Sequence, residues 1–205
     1  MGFKWQMWTN ASAATVTASD NFNRTSNPIS NPMSDGTSTW GAWGSFTGFR
    51  VDGSNAVGIT AVTSNGMIVS SPSFPNDQSA TATLIGVNSF FGPMVRIQGT
   101  SDTRAYQLQV NGNPSTLVLN KFVTNGSDVG TQIGSNITPT HGSGAAGILA
   151  VGDSITLKVV GTTLTVQVNG ITETTQTDSA FSSGSPGLYI YDAAAIDSFS
   201  CTSIP

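Results

Sequence analysis

The sequence predicts an all-β chain folded as an antiparallel two-sheet β-sandwich. Three observations carry that prediction. Runs of about four to eight residues alternate apolar and polar side chains, the period of a strand with one buried face. Turn-forming residues, Asn-Gly above all, punctuate these runs. No stretch carries a long apolar stripe at helical spacing.

Residues 1–19 are expected to form an N-terminal arm, anchored by Trp5 and Trp8 and ending in small polar residues. Residues 20–205 are expected to form the sandwich. Residues 25–39, rich in Pro, Ser, Asn and Gly, read as a loop. Strands then follow at Phe49–Asp52 and Ala56–Thr60, joined by a turn at Gly53-Ser54-Asn55. Asn65-Gly66 reads as a hairpin turn leading into Met67–Val69. Further strands are expected within 80–87, at Met94–Gln98, at Tyr106–Val110 and, after a turn at Asn111-Gly112, at Thr116–Leu119. Residues 124–152 are Gly/Ser/Thr-rich and read as a long excursion with one short strand near Thr131–Ile133. Ile155–Val160, Leu164–Val168 and Ile171–Thr177 form a meander turning at Gly161 and at Asn169-Gly170. Leu188–Tyr191 and Ile196–Cys201 close the chain. So many short strands with short links mean a sandwich or jelly roll.

Composition narrows the function. The 205 residues suit one domain of this class. Only 9% are charged, and Ser, Thr, Asn and Gly fill the gap. Hydrophobic residues still make up 38%, too many for a disordered chain. No apolar run is long enough to cross a membrane as a helix. The seven Lys and Arg residues are scattered, so no row of phosphates is matched and nucleic acid is excluded as a partner. The single cysteine, Cys201, excludes an internal disulfide and a cysteine metal cage, and reads as a small buried hydrophobe. The first residues lack the apolar core of a signal peptide. The expectation is either a signal removed earlier or release by another route, such as lysis with virions.

A set of segments stands in a recognisable order. Asp20-Asn21-Phe22-Asn23-Arg24 is followed by Trp40, then Gly92-Pro93-Met94-Val95-Arg96, then Gly152-Asp153-Ser154-Ile155-Thr156-Leu157. Gly161, Leu164, Val168-Asn169-Gly170, Thr177-Asp178, Gly184-Ser185-Pro186-Gly187-Leu188 and Ile196-Asp197-Ser198-Phe199 complete it. Over about residues 20–202 this resembles the concanavalin A-like lectin/glucanase jelly roll, in its laminin-G-like branch. The resemblance implies two curved antiparallel sheets with the first and last strands paired, placing Asp20–Phe22 beside Asp197–Phe199. It implies glycan binding, protein binding, calcium binding or polysaccharide hydrolysis, a short list among which a fold alone does not choose.

The residues themselves argue against catalysis. Glycoside hydrolysis needs two carboxylates across the bond, and the only glutamate, Glu173, sits in a polar strand where a solvent-facing position is expected. The Glu-X-Asp-X-X-Glu strand of the glucanases has no counterpart. Most aspartates fall at turns. A lyase would draw on Arg96, Gln98, Arg104, Tyr106 and His141, the residue types that neutralise a uronate and remove its proton, but the lyase motifs are missing. Calcium could use Asp20 and Asp197 if the end strands pair. Trp40 and Trp43 are the candidate sugar-stacking platforms, since an indole offers an apolar face, with core packing as the alternative.

The leading expectation is a non-catalytic surface component of a virion or similar assembly, acting as a homo-oligomer through Trp5 and Trp8 and contacting glycans. The alternative is a carbohydrate-binding module of a secreted bacterial protein, placed outside the cell or on its surface. An enzyme of the glucanase or lyase type stands third.

Overall fold

The computed structural model describes residues 14–29, 31–44, 46, 48–59, 64–87, 89–99, 104–123, 130–191 and 194–205. In chain order the first strands are β1 (Thr17–Asp20), β2 (Thr25–Ser26), β3 (Thr39–Ala42), β4 (Phe49–Asp52), β5 (Ala56–Gly58) and β6 (Ser64–Ser71). They are followed by β7 (Gln78–Leu84), β8 (Phe90–Gln98), β9 (Arg104–Asn111), β10 (Leu117–Phe122) and β11 (Thr131–Gln132). The last five are β12 (Ser154–Val160), β13 (Thr163–Val168), β14 (Ile171–Thr177), β15 (Ser185–Tyr191) and β16 (Ala195–Ser203). The only helical element among the described residues is a 3-10 turn at Ala145–Gly147.

These strands make two antiparallel sheets, as the alternation predicts. The first runs β14-β13-β12-β7-β16-β5-β4-β2, with β1 also pairing β16. The second runs β11-β10-β9-β8-β15-β6-β3. The end strands do pair: Ala18 faces Cys201 and Asp20 faces Phe199. The strand runs Thr17–Asp20, however, so residues 17–19, expected in the arm, belong to the sheet, while Asn21 and Phe22, expected to pair with the Asp197 end of the last strand, lie beyond it.

The main core lies between the sheets. On β9, Tyr106, Leu108 and Val110 point into it, and on β12 Ile155, Leu157 and Val159 do the same from the other side. Period-two alternation then sends Ala105, Gln107, Gln109 and Asn111 to the opposite face of β9.

Two local expectations meet different outcomes. Asn65-Gly66 is not a turn but lies inside β6. Asn65 is fully buried, accepts from the Ile59 N–H at 3.2 Å and donates Nδ2 to the Ile190 carbonyl at 3.2 Å. Gly66 is there because Trp43 lies against it: a Cβ would meet Trp43 Cε3 at 2.5 Å. The turn at Asn169-Gly170 does form, with φ of 51° and 78°, the left-handed conformation those two residues tolerate best.

Candidate functional site

Trp40 and Trp43 are 3% and 0% exposed, so neither offers an indole face to a ligand. Trp40 belongs to the main core, with its ring centroid 5.1 Å from those of Phe49 and Phe199, and its Nε1 donates to Asp20 Oδ2 at 2.8 Å. Trp43 lies on the outer face of the second sheet, beneath Phe46 at 4.6 Å and edge-on to Phe122 at 5.7 Å. Both are held by packing, because a Trp side chain has more apolar area to bury than any other. Trp5 and Trp8 lie outside the described residues.

Asp20 and Asp197 do not act together. Asp20 is buried, and Arg24 grips both its oxygens at 2.6 and 2.7 Å while Trp40 takes one of them as well. Asp197 is exposed on β16. A carboxylate already shared by a guanidinium and an indole has little left for a cation. No group of three or more ligating side chains occurs among the described residues.

The acid–base candidates are also engaged elsewhere. Glu173 does not face solvent as its polar strand suggests: its side chain is only 3% exposed. It accepts from Thr140 N at 2.9 Å, Thr140 Oγ1 at 2.8 Å and His141 N at 2.9 Å, with His141 Nδ1 at 3.1 Å. Burial would raise its pKa, but these donors outweigh burial and hold the carboxyl below its ordinary value. Tyr106 donates to Asp178 Oδ1 at 2.7 Å and accepts from Phe181 N at 3.0 Å. Burial, reinforced by the Asp178 carboxylate, pushes its hydroxyl up to about 12, which removes it as a base at neutral pH. Arg96 is buried and spends its guanidinium on the Asn76 and Phe181 carbonyls and on Asp77. Gln98 donates to the Ser183 carbonyl at 2.9 Å. Arg96, Gln98 and Tyr106 therefore fasten loops, while Arg104 is exposed at the start of β9.

What sequence reasoning missed lies on the outer face of the second sheet. Two adjoining depressions of about 260 Å³ each share Phe90 and Gln109. One is completed by Tyr189 and Tyr191, the other by amides and small residues including Asn111, Asn120, Gln132 and Asn136. Together they form a groove across β15, β8, β9, β10 and β11. Phe90 is 39% exposed, and its ring meets Tyr191 edge-on at 5.9 Å. Tyr189 is backed by Phe46 at 6.1 Å and Phe122 at 6.2 Å, both of which pack on Trp43. Trp43 therefore backs the aromatic end of the groove from the side, through Phe46 and Phe122.

Beside Tyr189 in the sheet, Gly92 has to be glycine, because a Cβ there would overlap the Leu108 carbonyl oxygen at 1.9 Å. The far wall is set by the excursion after β10. Leu117 and Ile137 exchange two backbone hydrogen bonds of 2.9 Å, and Ile133 N donates to Leu119 O at 2.7 Å. These bonds lay the segment along the sheet edge and bring Gln132 and Asn136 to the groove. None of the described lining residues is charged. Gln107, on the same face, is fully buried and has no partner for either amide atom. The parity of β9 could have marked the face, since Gln107, Gln109 and Asn111 share it; the aromatic end could not be read without knowing that β8 and β15 are neighbours.

No family model matches the sequence, and no curated protein does. Solved structures do resemble it. The carbohydrate-binding module CBM66 from Bacillus subtilis superposes with a TM-score of 0.56 at 17% identity, covering 78% of this chain and 92% of that one. The exoplasmic/lumenal domain of VIP36, in its Ca2+/Man3GlcNAc-bound form, gives 0.52 at 11% identity, covering 81% and 84%. The Crh5 transglycosylase, in its apo form, gives 0.53 at 12% identity, covering 94% and 85%. The fold is the concanavalin A-like jelly roll. A jelly roll of this kind serves a binding module, a lumenal domain and a transglycosylase alike, so the site and not the fold must carry the functional argument.

Proposed function

We propose that this jelly roll is a non-catalytic glycan-binding domain and that the groove between Tyr191 and Asn136 is its binding site. One observation carries the reading: aromatic rings at one end, with Phe90 exposed, and side-chain amides at the other line two adjoining, uncharged depressions on the outer face of the second sheet. Sugar rings have apolar faces that stack on Phe90 and Tyr191, and hydroxyls that pair with amides, so the two ends of the groove meet the two halves of a sugar's chemistry. Similarity in fold to a carbohydrate-binding module and to a mannose-oligosaccharide-bound domain supports the same reading. It favours an extracellular or cell-surface setting, and nothing in the comparisons points to a virion.

The absence of turnover is part of the proposal. The described groove lining contains no carboxylate, and the one glutamate is buried under Thr140 and His141. A pair of carboxylates astride a glycosidic bond is therefore not offered there. The test is a glycan array followed by calorimetry on the hits, with Phe90→Ala and Tyr191→Ala as controls. Binding that both variants weaken, without release of reducing ends, is the expected result. Sustained oligosaccharide release would contradict the non-catalytic part.

A further inference from the structure

We infer that the groove reads an acetamido group, so that its preferred ligands are neutral glycans carrying an N-acetylhexosamine; this rests on the groove being the glycan site. Five amides stand at its β9–β10–β11 end, Asn111 and two hydrogen-bonded pairs. Asn120 Nδ2 donates to Gln109 Oε1 at 3.0 Å, and Gln132 Nε2 donates to Asn136 Oδ1 at 3.0 Å. Asn120 and Gln132 are register partners across β10 and β11, so the two closed pairs stand side by side.

Each side-chain amide has one carbonyl oxygen and one NH2 group. A pair closed by one N–H···O bond keeps one carbonyl and one NH2 in reserve. Reversing both amides leaves the same remainder, so the conclusion does not depend on how oxygen and nitrogen are assigned. The first pair keeps Gln109 Nε2 and Asn120 Oδ1, and the second keeps Asn136 Nδ2 and Gln132 Oε1.

A secondary acetamide is the complement of such a remainder. Its carbonyl accepts from an NH2, its N–H donates to a carbonyl, and its methyl needs an apolar seat. That seat is present, because Phe90 and Val118 line the same depression as the amides. A hydroxyl at the same sugar position uses one of the two polar atoms and leaves the seat empty. A carboxylate or free amine meets no counter-charge among the described lining residues and is disfavoured by desolvation.

The experiment uses matched ligands. N,N′,N″-triacetylchitotriose and cellotriose share a backbone and differ only in acetamido against hydroxyl at C2. N-acetylgalactosamine and galactose form a second pair of opposite C4 configuration. Calorimetry should show the acetamido member of at least one pair binding about tenfold or more tightly, since a site built to pair a polar group discriminates against its absence. The double variant Gln109→Leu/Asn120→Leu should remove that preference; if it fails to fold, Gln109→Ala alone should reduce it. Equal affinities within both pairs overturn the acetamido inference and leave the groove reading standing. Binding confined to other glycans on an array does the same. No binding to any glycan overturns both.

Discussion

His141 Nδ1 lies 3.1 Å from Glu173 Oε1, so the chain's one histidine and one glutamate meet. Their bond, with those from Thr140, ties the excursion after β11 to the edge strand β14. Glu173→Ala should lower stability by about 1–2 kcal/mol, because it strips an acceptor from several donors at once. His141→Ala should cost less, since Thr140 and the backbone still hold the carboxylate. Urea denaturation of the two variants checks the order; a larger loss for His141→Ala would reverse the assignment.

Stability should fall in acid and again in strong alkali. Asp35, Asp153, Glu173 and Asp178 are all held below their ordinary values: burial opposes the shift in each, but hydrogen bonds outweigh it. A depressed carboxyl stabilises the fold above its unfolded value, and that stability is lost as pH falls through the folded value. The loss should begin below the ordinary glutamate value of 4.5 and, through Asp35, continue to about 2. Tyr106 acts oppositely. Its stability is complete below its ordinary 10.0 and is lost as pH rises toward about 12. A Tm profile from strongly acidic to strongly alkaline pH should be dome-shaped, and a flat acid limb would contradict it.

The alternation on β9, β12 and β13 made the sandwich legible, because each strand has one face in the core. The end-strand pairing was legible through the family resemblance. Asn65-Gly66 misled because a turn dipeptide was placed inside a strand by Trp43 packing on the glycine. Trp40 and Trp43 misled because an indole near a polar loop looks the same in sequence whether it faces solvent or Phe49. The groove depends on β8 lying beside β15 and on the excursion returning to β10, contacts between residues far apart in the chain.

Asp20 binds Arg24 and Trp40, and that use should show in its variants. Asp20→Ala takes the carboxylate away from Arg24 and from the buried Trp40 N–H at once and should cost about 1–3 kcal/mol. Calcium should move the Tm of the wild type by no more than about one degree if the carboxylate is unavailable to it. A saturable rise in Tm with calcium, abolished in Asp20→Asn, would restore the metal role.

Cys201 is buried on β16 and contacts the Ala18 carbonyl at 3.7 Å. Burial pushes its thiol up, so little thiolate forms near neutral pH. A thiol reagent should label it only at the rate of global unfolding. Fast labelling of the native protein would show that β1 detaches from β16.

The central claim is that the uncharged groove binds glycan through Phe90. The most direct measurement is the affinity of wild type and Phe90→Ala for the best glycan from an array, at several pH and salt values. Phe90→Ala should weaken binding about tenfold or more while leaving the Tm nearly unchanged, since the ring is partly exposed and acts as an aromatic anchor. Wild-type affinity should be insensitive to salt and to pH across the neutral range, because the described lining carries no charge. Glycan binding that Phe90→Ala leaves intact, or that weakens steeply with salt, would contradict the account.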